Sequence, residues 1–461
     1  MRRIIALLPL LPCLCLPGCA TVPAVPEPLV TDVPAQITVD GARGALSQRM
    51  ANAVLKRLVA QAPDAGALER HLAVEQIVAG TPLYTGNRVT ILRDGPSTFA
   101  AIFAAIRDAR QYLYLEYYTF EDIQYGDERL SDLLVQRRAQ GLQVTVLYDS
   151  IGSISTPAEL FTKLSDAGVH VLAFNPINPL KPHFAFNERD HRKLLLADGE
   201  VAIIGGVNLS ANYQSHALGS GSAPAGGNEP REAWHDTDLR IEGPAVGELK
   251  RLFDQHWNQQ GGEADALAPT ASLDGSNGDQ VVRIIGSQAG GRLSPRYYAT
   301  LLSSIRSASS SIEVTAAYFA PTHQEREALL HAARRGVRVR LLLPSHSDSG
   351  PALAVQRSHY REMLHAGVEI YERQDGILHS KLVVTDGVWT ILGSSNFDHR
   401  SVLFNDEIDA VVIGNRTGQS LQAFFEQDLQ HAERIDPGSW DRRAFSERVR
   451  ERFWRLWESL L

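Results

Sequence analysis

Hydrophobic residues recur along this chain in two alternating patterns, and their order predicts an α/β protein. Short runs rich in Val, Ile, Leu and Tyr predict strands, whereas longer stretches with apolar residues three to four positions apart predict helices. An early helix over Ala45–Gln61 is expected to cover a sheet. The first half then continues with strand Val89–Leu92, helix Thr98–Arg110, strand Tyr112–Tyr118, helix Leu130–Gln140 and strand Val144–Tyr148.

The predicted elements return in the same order in the second half. They are strand Val281–Ile285, helix Tyr297–Ser307, strand Ile312–Ala316, helix Gln324–Arg335 and strand Val339–Leu343. Strands that alternate with helices are typical of α/β domains. The sequence therefore predicts two similar domains over residues 41–262 and 280–461, joined by a linker over 263–279 that is rich in Gly, Ala, Ser and Asp.

One pattern of polar residues also occurs in both halves, with the same internal spacing. After a histidine, each copy places a lysine two residues later, an aspartate at seven, a glycine at fourteen and an asparagine at seventeen. The copies are His191, Lys193, Asp198, Gly205 and Asn208, and His379, Lys381, Asp386, Gly393 and Asn396. Each aspartate precedes a glycine, which predicts a hairpin turn, and residues two apart on a strand share a face. Each half should therefore present a histidine, a lysine and an asparagine at one end of its sheet.

The use of lysine indicates which ligand this pattern suits. Only six of the 45 basic residues are lysines, yet both copies keep one two residues after the histidine. An ammonium group binds a phosphate oxygen as a compact point charge, whereas the wider guanidinium fork suits bidentate partners. Two imidazoles, two ammonium groups and two amides from related halves suit a single phosphate held between them.

The paired motifs resemble those of the phospholipase D superfamily. The second copy continues as FDHRSVLFNDE over 397–407, and this stretch, like LRIEGPAV over 239–246, resembles bacterial cardiolipin synthases. The resemblance implies two α/β sandwich domains of the phospholipase D type, related by a pseudo-twofold axis, with the active site at their interface. It also implies that the repeated His, Lys and Asp residues form the catalytic set.

Imidazole chemistry and the resemblance together assign roles to these residues. One histidine can attack phosphorus and form a covalent phosphohistidine while the other serves as general acid and base. The resemblance favours His191 as the nucleophile and His379 as the acid and base. The lysines, together with Asn208, Asn396 and Ser394, are expected to bind phosphate oxygens. The acidic residues Asp236 and Glu407 are expected to orient the imidazoles, and Asp198 and Asp386, although part of the motif, suit structural roles in their turns. No metal or other cofactor is expected.

The first residues predict an exported lipoprotein. Arg2 and Arg3 precede an apolar run over 4–16 that is too short to span a bilayer, and Cys19 follows small residues. Residues 1–18 are therefore interpreted as a lipoprotein signal peptide, Cys19 as the lipidated residue and 19–40 as a tether. An ordinary signal peptide or an uncleaved anchor is the alternative. We expect a periplasm-facing bacterial membrane, the outer membrane in particular.

The predicted function is a phospholipid transphosphatidylase of the cardiolipin synthase type, active as a monomer at a membrane surface. Hydrolysis of phospholipids to phosphatidic acid, a nuclease activity and a non-catalytic lipid-binding role are the alternatives. A net charge of −8 disfavours a nucleic-acid partner, because such proteins need a basic surface. The identity of the acceptor is left open.

An amphipathic helix is predicted at the end of the second domain. Its apolar positions at helical spacing are Phe445, Val449, Phe453, Leu456, Trp457 and Leu460, and six arginines surround them. A basic amphipathic helix of this kind suits the interface of an anionic bilayer. Packing of the apolar side against the second domain, with a solvated arginine face, is the alternative.

Overall fold

The computed structural model describes residues 22–25, 37–62, 65–176, 187–214, 234–268, 277–289 and 296–460. Cys19, the leader and most of the predicted tether lie outside these residues. The first half contains β1 (Val39–Gly41), β2 (Gly44–Ala45), α1 (Gln48–Gln61), α2 (Ala65–Ala79), β3 (Leu83–Leu92), α3 (Gly95–Asp108), β4 (Tyr112–Tyr117), β5 (Gln124–Tyr125), β6 (Glu128–Arg129), α4 (Leu130–Ala139), β7 (Gln143–Asp149), α5 (Ala158–Asp166), β8 (His170–Phe174), β9 (Arg189–Asp190), β10 (Lys193–Ala197), β11 (Val201–Gly205), β12 (Trp234–His235), β13 (Asp238–Glu242) and α6 (Ala245–Gln259).

The second half repeats much of this order. It contains β14 (Gln280–Ser287), α7 (Arg296–Ser307), β15 (Ser311–Ala316), α8 (His323–Arg334), β16 (Arg338–Pro344), α9 (Gly350–Ser358), α10 (Tyr360–His365), β17 (Glu369–Arg373), β18 (Ile377–Leu378), β19 (Lys381–Thr385), β20 (Trp389–Gly393), α11 (His399–Leu403), β21 (Asn405–Ile413), α12 (Asn415–Asp428), β22 (Ala432–Arg434), α13 (Pro437–Asp441) and α14 (Phe445–Arg455). No helix in the described part of the chain has the length and apolar content needed to cross a bilayer.

Both halves build a mixed sheet with the same strand order. The first sheet runs β8, β7, β4, β10, β11, β13, β3, and the second runs β17, β16, β15, β19, β20, β21, β14. In each sheet the first three strands are parallel and the remaining neighbours are antiparallel. The predicted α/β class with two similar domains is therefore confirmed.

The two sheets are joined where their equivalent edge strands meet. β3 and β14 pair antiparallel, with Val281 opposite Thr85 and Val282 opposite Tyr84. Antiparallel pairing of equivalent strands is what a twofold axis between the halves requires. β3 is longer than predicted because its first residues pair with β14 and its last five pair with β13.

Apolar side chains fill three layers of core. One core lies between the first sheet and its helices, and another lies between the second sheet and its helices. A third lies between the halves, where Leu194 and Ile204 join Leu382 and Leu392 in one cluster. The helices α1 and α2 belong to the core of the second half, through Leu58 among others, although the predicted boundaries place them in the first domain.

A buried charge network also links the halves. Arg192 donates to Glu116, and Glu116 lies 2.6 Å from Nδ1 of His256. Nε2 of His256 lies 2.9 Å from Asp406 of the second half. Burial opposes the charge on His256, but Glu116 and Asp406 outweigh it and raise the pKa of His256 to about 10. This imidazolium and Arg192 provide the cations that neutralise the buried carboxylates.

The motif aspartates form the hairpin turns, as their place before glycine predicts. Asp198 and Asp386 have positive φ angles of 55° and 53°. The carboxylate of Asp198 accepts hydrogen bonds from the backbone N–H groups of residues 110–112, and that of Asp386 accepts from those of residues 309–311. Each therefore fastens a hairpin turn to the loop before the neighbouring strand.

We expect Asp386→Asn to destabilise the fold by about 2–3 kcal/mol at pH 7, because several N–H donors lose a charged acceptor. Burial raises the pKa of Asp386, but the hydrogen bonds from His71 and the three serine N–H groups outweigh burial. They hold the pKa of Asp386 below its usual range. A depressed pKa adds stability that is present above about pH 4 and lost as pH falls further. Urea unfolding should therefore show a higher free energy of unfolding for the wild type than for Asp386→Asn, and the difference should shrink in acid. Asp127→Asn, at an exposed position, should show neither effect.

Candidate active site

His191 and His379 line one cavity of about 480 Å³. Both halves contribute to its walls, and the lining residues include Tyr118, Arg189, Asn208, Tyr213, Trp234, Tyr318, Asn396, Asp398 and Arg400. The two motif copies thus bring their histidines to one pocket between the halves.

Short pairs of strands place each histidine by hydrogen bonds to the opposite half. β9 runs parallel to the start of β21, and the backbone N–H of His191 donates to the carbonyl of Asp406 over 2.9 Å. In the same way β12 runs parallel to β18, and the N–H of His379 donates to the carbonyl of His235 over 2.7 Å. The residue after each of these carbonyls is the carboxylate that contacts the imidazole.

The carboxylates pair crosswise with the histidines. Nδ1 of His191 lies 3.1 Å from Glu407 of the second half, and Nδ1 of His379 lies 2.7 Å from Asp236 of the first half. Both carboxylates are almost completely buried. Both contacts use Nδ1, so Nε2 of each imidazole is the nitrogen left for the cavity, and Asp236 and Glu407 lie where orienting residues would lie.

The buried carboxylate of Glu407 is itself held by three side chains. The hydroxyls of Ser394 and Ser401 donate to it, and the amide of Asn405 donates over 3.1 Å. Ser394 is completely buried and also accepts from the N–H of Ile408. In this structure the hydroxyl of Ser394 contacts Glu407, and Ser394 is not among the residues that line the cavity, so we reassign it from phosphate binding to the positioning of Glu407.

Each lysine side chain turns back to the histidine two residues before it, and neither lysine is among the residues that line the cavity. Nζ of Lys193 donates to the carbonyl of His191 over 2.6 Å, and Nζ of Lys381 donates to that of His379. Nζ of Lys381 also lies 2.8 Å from Nδ1 and 3.3 Å from Nε2 of His379, so it lies against the ring. Each ammonium group has three N–H donors, so donors remain for a ligand next to the imidazole.

The two asparagines line the same cavity. The side-chain oxygen of Asn208 accepts from the N–H of Thr119, and its amide donates to the hydroxyl of Tyr213 over 3.4 Å. Tyr213 in turn lies 3.0 Å from Nδ1 of His379. The side-chain oxygen of Asn396 is buried without a hydrogen-bond partner among the described residues. Both amides therefore belong to the pocket that holds the two histidines.

Burial controls the charge of the site. It lowers the pKa of both histidines well below the usual value, and the two lysines lower them further. Burial also lowers the pKa of Lys193 to about 7 and raises those of Asp236 and Glu407 to about 6 and about 7. Both imidazoles are therefore neutral near pH 7, with an unprotonated nitrogen for the cavity.

Three tyrosines complete the pocket and were not predicted from the sequence. Tyr118 contacts His191 edge-on with ring centroids 5.1 Å apart, and Tyr213 and Tyr318 contact His379 edge-on. Tyr118 is the first residue after β4 and Tyr318 is the second after β15, so each follows the strand that pairs with the motif strand of its half. A tyrosine just beyond that strand in both halves is the signal that could have identified Tyr118 and Tyr318.

The other predicted site residues are not brought into the pocket. Asp198 and Asp386 lie at the far ends of β10 and β19 from the histidines, so a catalytic role for them is not supported. Two groups of residues in the described ranges have the spacing of metal ligands: Glu116, Asp190 and His256, and His170, Glu263 and Asp265. Neither group lines the cavity.

The pH dependence of kcat/KM should report the buried Glu407. Below about pH 7 the protonated carboxyl of Glu407 no longer accepts from Nδ1–H of His191, so kcat/KM should fall about tenfold per pH unit. Ser394→Ala removes a hydrogen bond that lowers the pKa of Glu407, and the decline should therefore begin at higher pH. The hydroxyl of Ser395 contacts Asp409 instead, so Ser395→Ala should leave the pH of the decline unchanged. Lower activity of Ser394→Ala with an unchanged pH profile would contradict the reassignment.

Comparison with known proteins agrees with this geometry. The family model described as "Cardiolipin synthase, PLD-like domain" matches residues 102–220 and again 301–429. The chain is 33% identical over 385 residues to a cardiolipin synthase of Geobacillus kaustophilus, covering 82% of this chain and 74% of that one. It is 30% identical over 397 residues to a probable cardiolipin synthase of Bacillus subtilis, covering 85% of this chain and 76% of that one.

A solved structure shares the fold. The phosphatidylserine synthase of Haemophilus influenzae superposes with a TM-score of 0.61 at 14% sequence identity, covering 85% of this chain and all of that one. The two family matches coincide with the two halves that supply the histidines. The chain therefore belongs to the cardiolipin synthase family of proteins with phospholipase D-like domains.

Proposed function

We propose that this protein is a phosphatidyltransferase that joins a phosphatidyl group to a hydroxyl of a second phospholipid, as a cardiolipin synthase does. The observation that carries the proposal is the crosswise arrangement of two neutral imidazoles, each held by a carboxylate of the opposite half, in one cavity. Relatives named as cardiolipin synthases support the choice of substrate class. Because one chain supplies both imidazoles, a monomer is the proposed catalytic unit.

In the first step, Nε2 of His191 attacks the phosphorus of the donor phospholipid. The P–O bond to the headgroup alcohol breaks, and the alkoxide takes a proton from His379, leaving a phosphatidyl group on His191. Entry of an anionic phosphate favours the protonated form of a nearby imidazole, which supplies His379 with that proton. Lys193, Lys381 and the two site asparagines donate to the non-bridging oxygens as their charge increases.

In the second step, the now neutral His379 takes a proton from the incoming hydroxyl. The resulting oxygen attacks phosphorus and the P–N bond to His191 breaks, which releases the product and restores both imidazoles. A phospholipid headgroup as acceptor gives cardiolipin or a related lipid. Water in the same place gives phosphatidic acid, so hydrolysis is the second candidate function of the same site.

Product analysis tests the proposal. The detergent-solubilised protein is incubated with phosphatidylglycerol, with and without glycerol or phosphatidylethanolamine, and the lipids are measured by mass spectrometry. Cardiolipin from the wild type supports transfer, whereas phosphatidic acid alone would show a hydrolase. Cleavage of plasmid DNA with no change in any lipid would contradict both. Activity should persist in chelator, because the proposed steps use only the chain's own cations.

We also propose that the protein is exported and anchored by a lipid on Cys19, on a bacterial membrane that faces the periplasm. The apolar leader over 4–16 and the cysteine that follows small residues support this. Metabolic labelling with palmitate should mark the wild type, and Cys19→Ser should abolish the label. A label that persists in Cys19→Ser would contradict the anchor without affecting the proposed reaction.

A further inference from the structure

The segment that begins with α14 turns its apolar side chains toward solvent. Phe445 is 74% exposed, Leu456 is 79% exposed, and Val449, Phe453, Trp457 and Leu460 are each about half exposed. The buried side chain of α14 is instead Glu451, which pairs with Arg443. The side of the helix that is turned inward therefore carries Glu451 and the partly buried Trp454. Packing of its apolar side against the second domain is not what the structure shows.

Basic side chains surround a second cavity beside this helix. The cavity has a volume of about 730 Å³ and is lined by seven arginines, one histidine and the three carboxylates of Glu362, Asp441 and Glu451. Four of the arginines have carboxylate partners, whereas Arg334, Arg448 and Arg452 have none within salt-bridge distance among the described residues. The excess of positive charge suits anionic groups.

The same segment reaches the mouth of the active site. A short turn over Glu458–Leu460 packs against α11, and Leu460 lines the cavity that holds His191 and His379. His359 fixes this turn through a 2.9 Å contact with Glu458. The first half adds the exposed Ile154, between Gly152 and Ser155, which line the same cavity. Leu460 thus links the mouth of the pocket to the exposed apolar face of α14, and Ile154 adds an exposed apolar side chain from the first half.

We propose that α14 and the turn after it are a docking surface for an anionic phospholipid bilayer, and that docking holds the mouth of the active site against the lipid. Phe445, Phe453, Leu456 and Trp457 enter the interfacial region, and the unpaired arginines bind headgroup phosphates. An anionic bilayer can cover the apolar face with its acyl chains and bind the basic cavity with its phosphates at the same time. The reason for docking rests on the proposed function, because a phospholipid substrate must reach the pocket from a membrane.

Hydrogen–deuterium exchange tests this surface in the full-length protein, in an inactive His379→Ala background that leaves the lipid unchanged. Vesicles of phosphatidylglycerol with phosphatidylethanolamine should protect peptides from residues 440–460, and phosphatidylcholine vesicles should not. Leu456→Ser with Trp457→Ser, or Arg448→Glu with Arg452→Glu, should remove the protection. Each basic residue near an anionic surface contributes about fivefold to affinity, so the double charge reversal should weaken this contact by well over tenfold. Met50→Ser with Arg57→Glu, on the exposed side of α1, is the matched control.

Activity of the same variants, in the otherwise wild-type chain, separates docking from chemistry. Turnover of phosphatidylglycerol in vesicles should fall about tenfold or more, and turnover of a short-chain, monomeric phosphatidylglycerol should be unchanged. Absence of protection at 440–460 with normal turnover of the short-chain lipid would overturn the docking surface and leave the proposed function standing. Protection on anionic vesicles without turnover of any lipid would support the surface and overturn the proposed function.

Discussion

Replacement of His191 with alanine should lower kcat by about 10⁴-fold or more, because it removes the atom that forms the bond to phosphorus. His379→Ala should be similarly inactive toward natural phospholipids, whose leaving alkoxides need a proton. The two variants differ with a donor whose leaving group is p-nitrophenolate, which leaves without protonation. His379→Ala should then release about one nitrophenol per chain in a burst and retain the phosphoryl group. His191→Ala should give no burst.

Acid quench followed by peptide mapping should find the retained group on His191. A label on His379, with a burst in His191→Ala, would reverse the two roles without changing the chemistry. The surface variant His331→Ala, whose side chain is 65% exposed, should keep wild-type kinetics and serves as the control. Normal turnover of phospholipid by either motif variant would contradict a phosphohistidine mechanism.

Much of the fold could be predicted because strand and helix patterns alternate clearly in both halves. The strand predicted at Val144–Tyr148 is one residue longer at each end in the structure, and the helix predicted at Tyr297–Ser307 begins one residue earlier. α2 was not predicted, since the polar residues of its sequence AGALERHLAVEQIVA are spread around the helix and leave little helical periodicity. The early part of β3 was missed because Gly86 and Asn87 interrupt its apolar pattern, and pairing with β14 decides its conformation.

The residues of the site could be predicted from the sequence more fully than the contacts between them. Repetition of one spacing identified His191 and His379, and the family resemblance pointed to Asp236 and Glu407. Neither could show that each carboxylate contacts the histidine of the other half, because that depends on how β9 meets β21 and how β12 meets β18. The role of Ser394 was missed for a related reason, since its partner Glu407 comes from the neighbouring strand.

Removal of the orienting carboxylates should have the second large effect. Glu407→Gln should lower kcat by about 10³–10⁴-fold, because an amide can donate to Nδ1 of His191 and leave the proton on Nε2, where it blocks attack. Asp236→Asn should do the same to His379. With the p-nitrophenolate donor, Glu407→Gln should slow the burst itself. Asp236→Asn should allow the burst and slow the release of the phosphoryl group that follows.

Two neighbouring carboxyls provide matched controls for these variants. Asp238 and Asp409 lie two residues after Asp236 and Glu407, are equally buried, and have pKa values that burial raises to about 8. Both are therefore protonated at pH 7, where an asparagine of the same shape replaces no charge, and each variant should change kcat by less than about tenfold. Equal losses in all four variants would show that the carboxylates only support the fold. Losses confined to Glu407→Gln and Asp236→Asn would show that catalysis depends on the negative charge of the carboxylate that each half places beside the histidine of the other half.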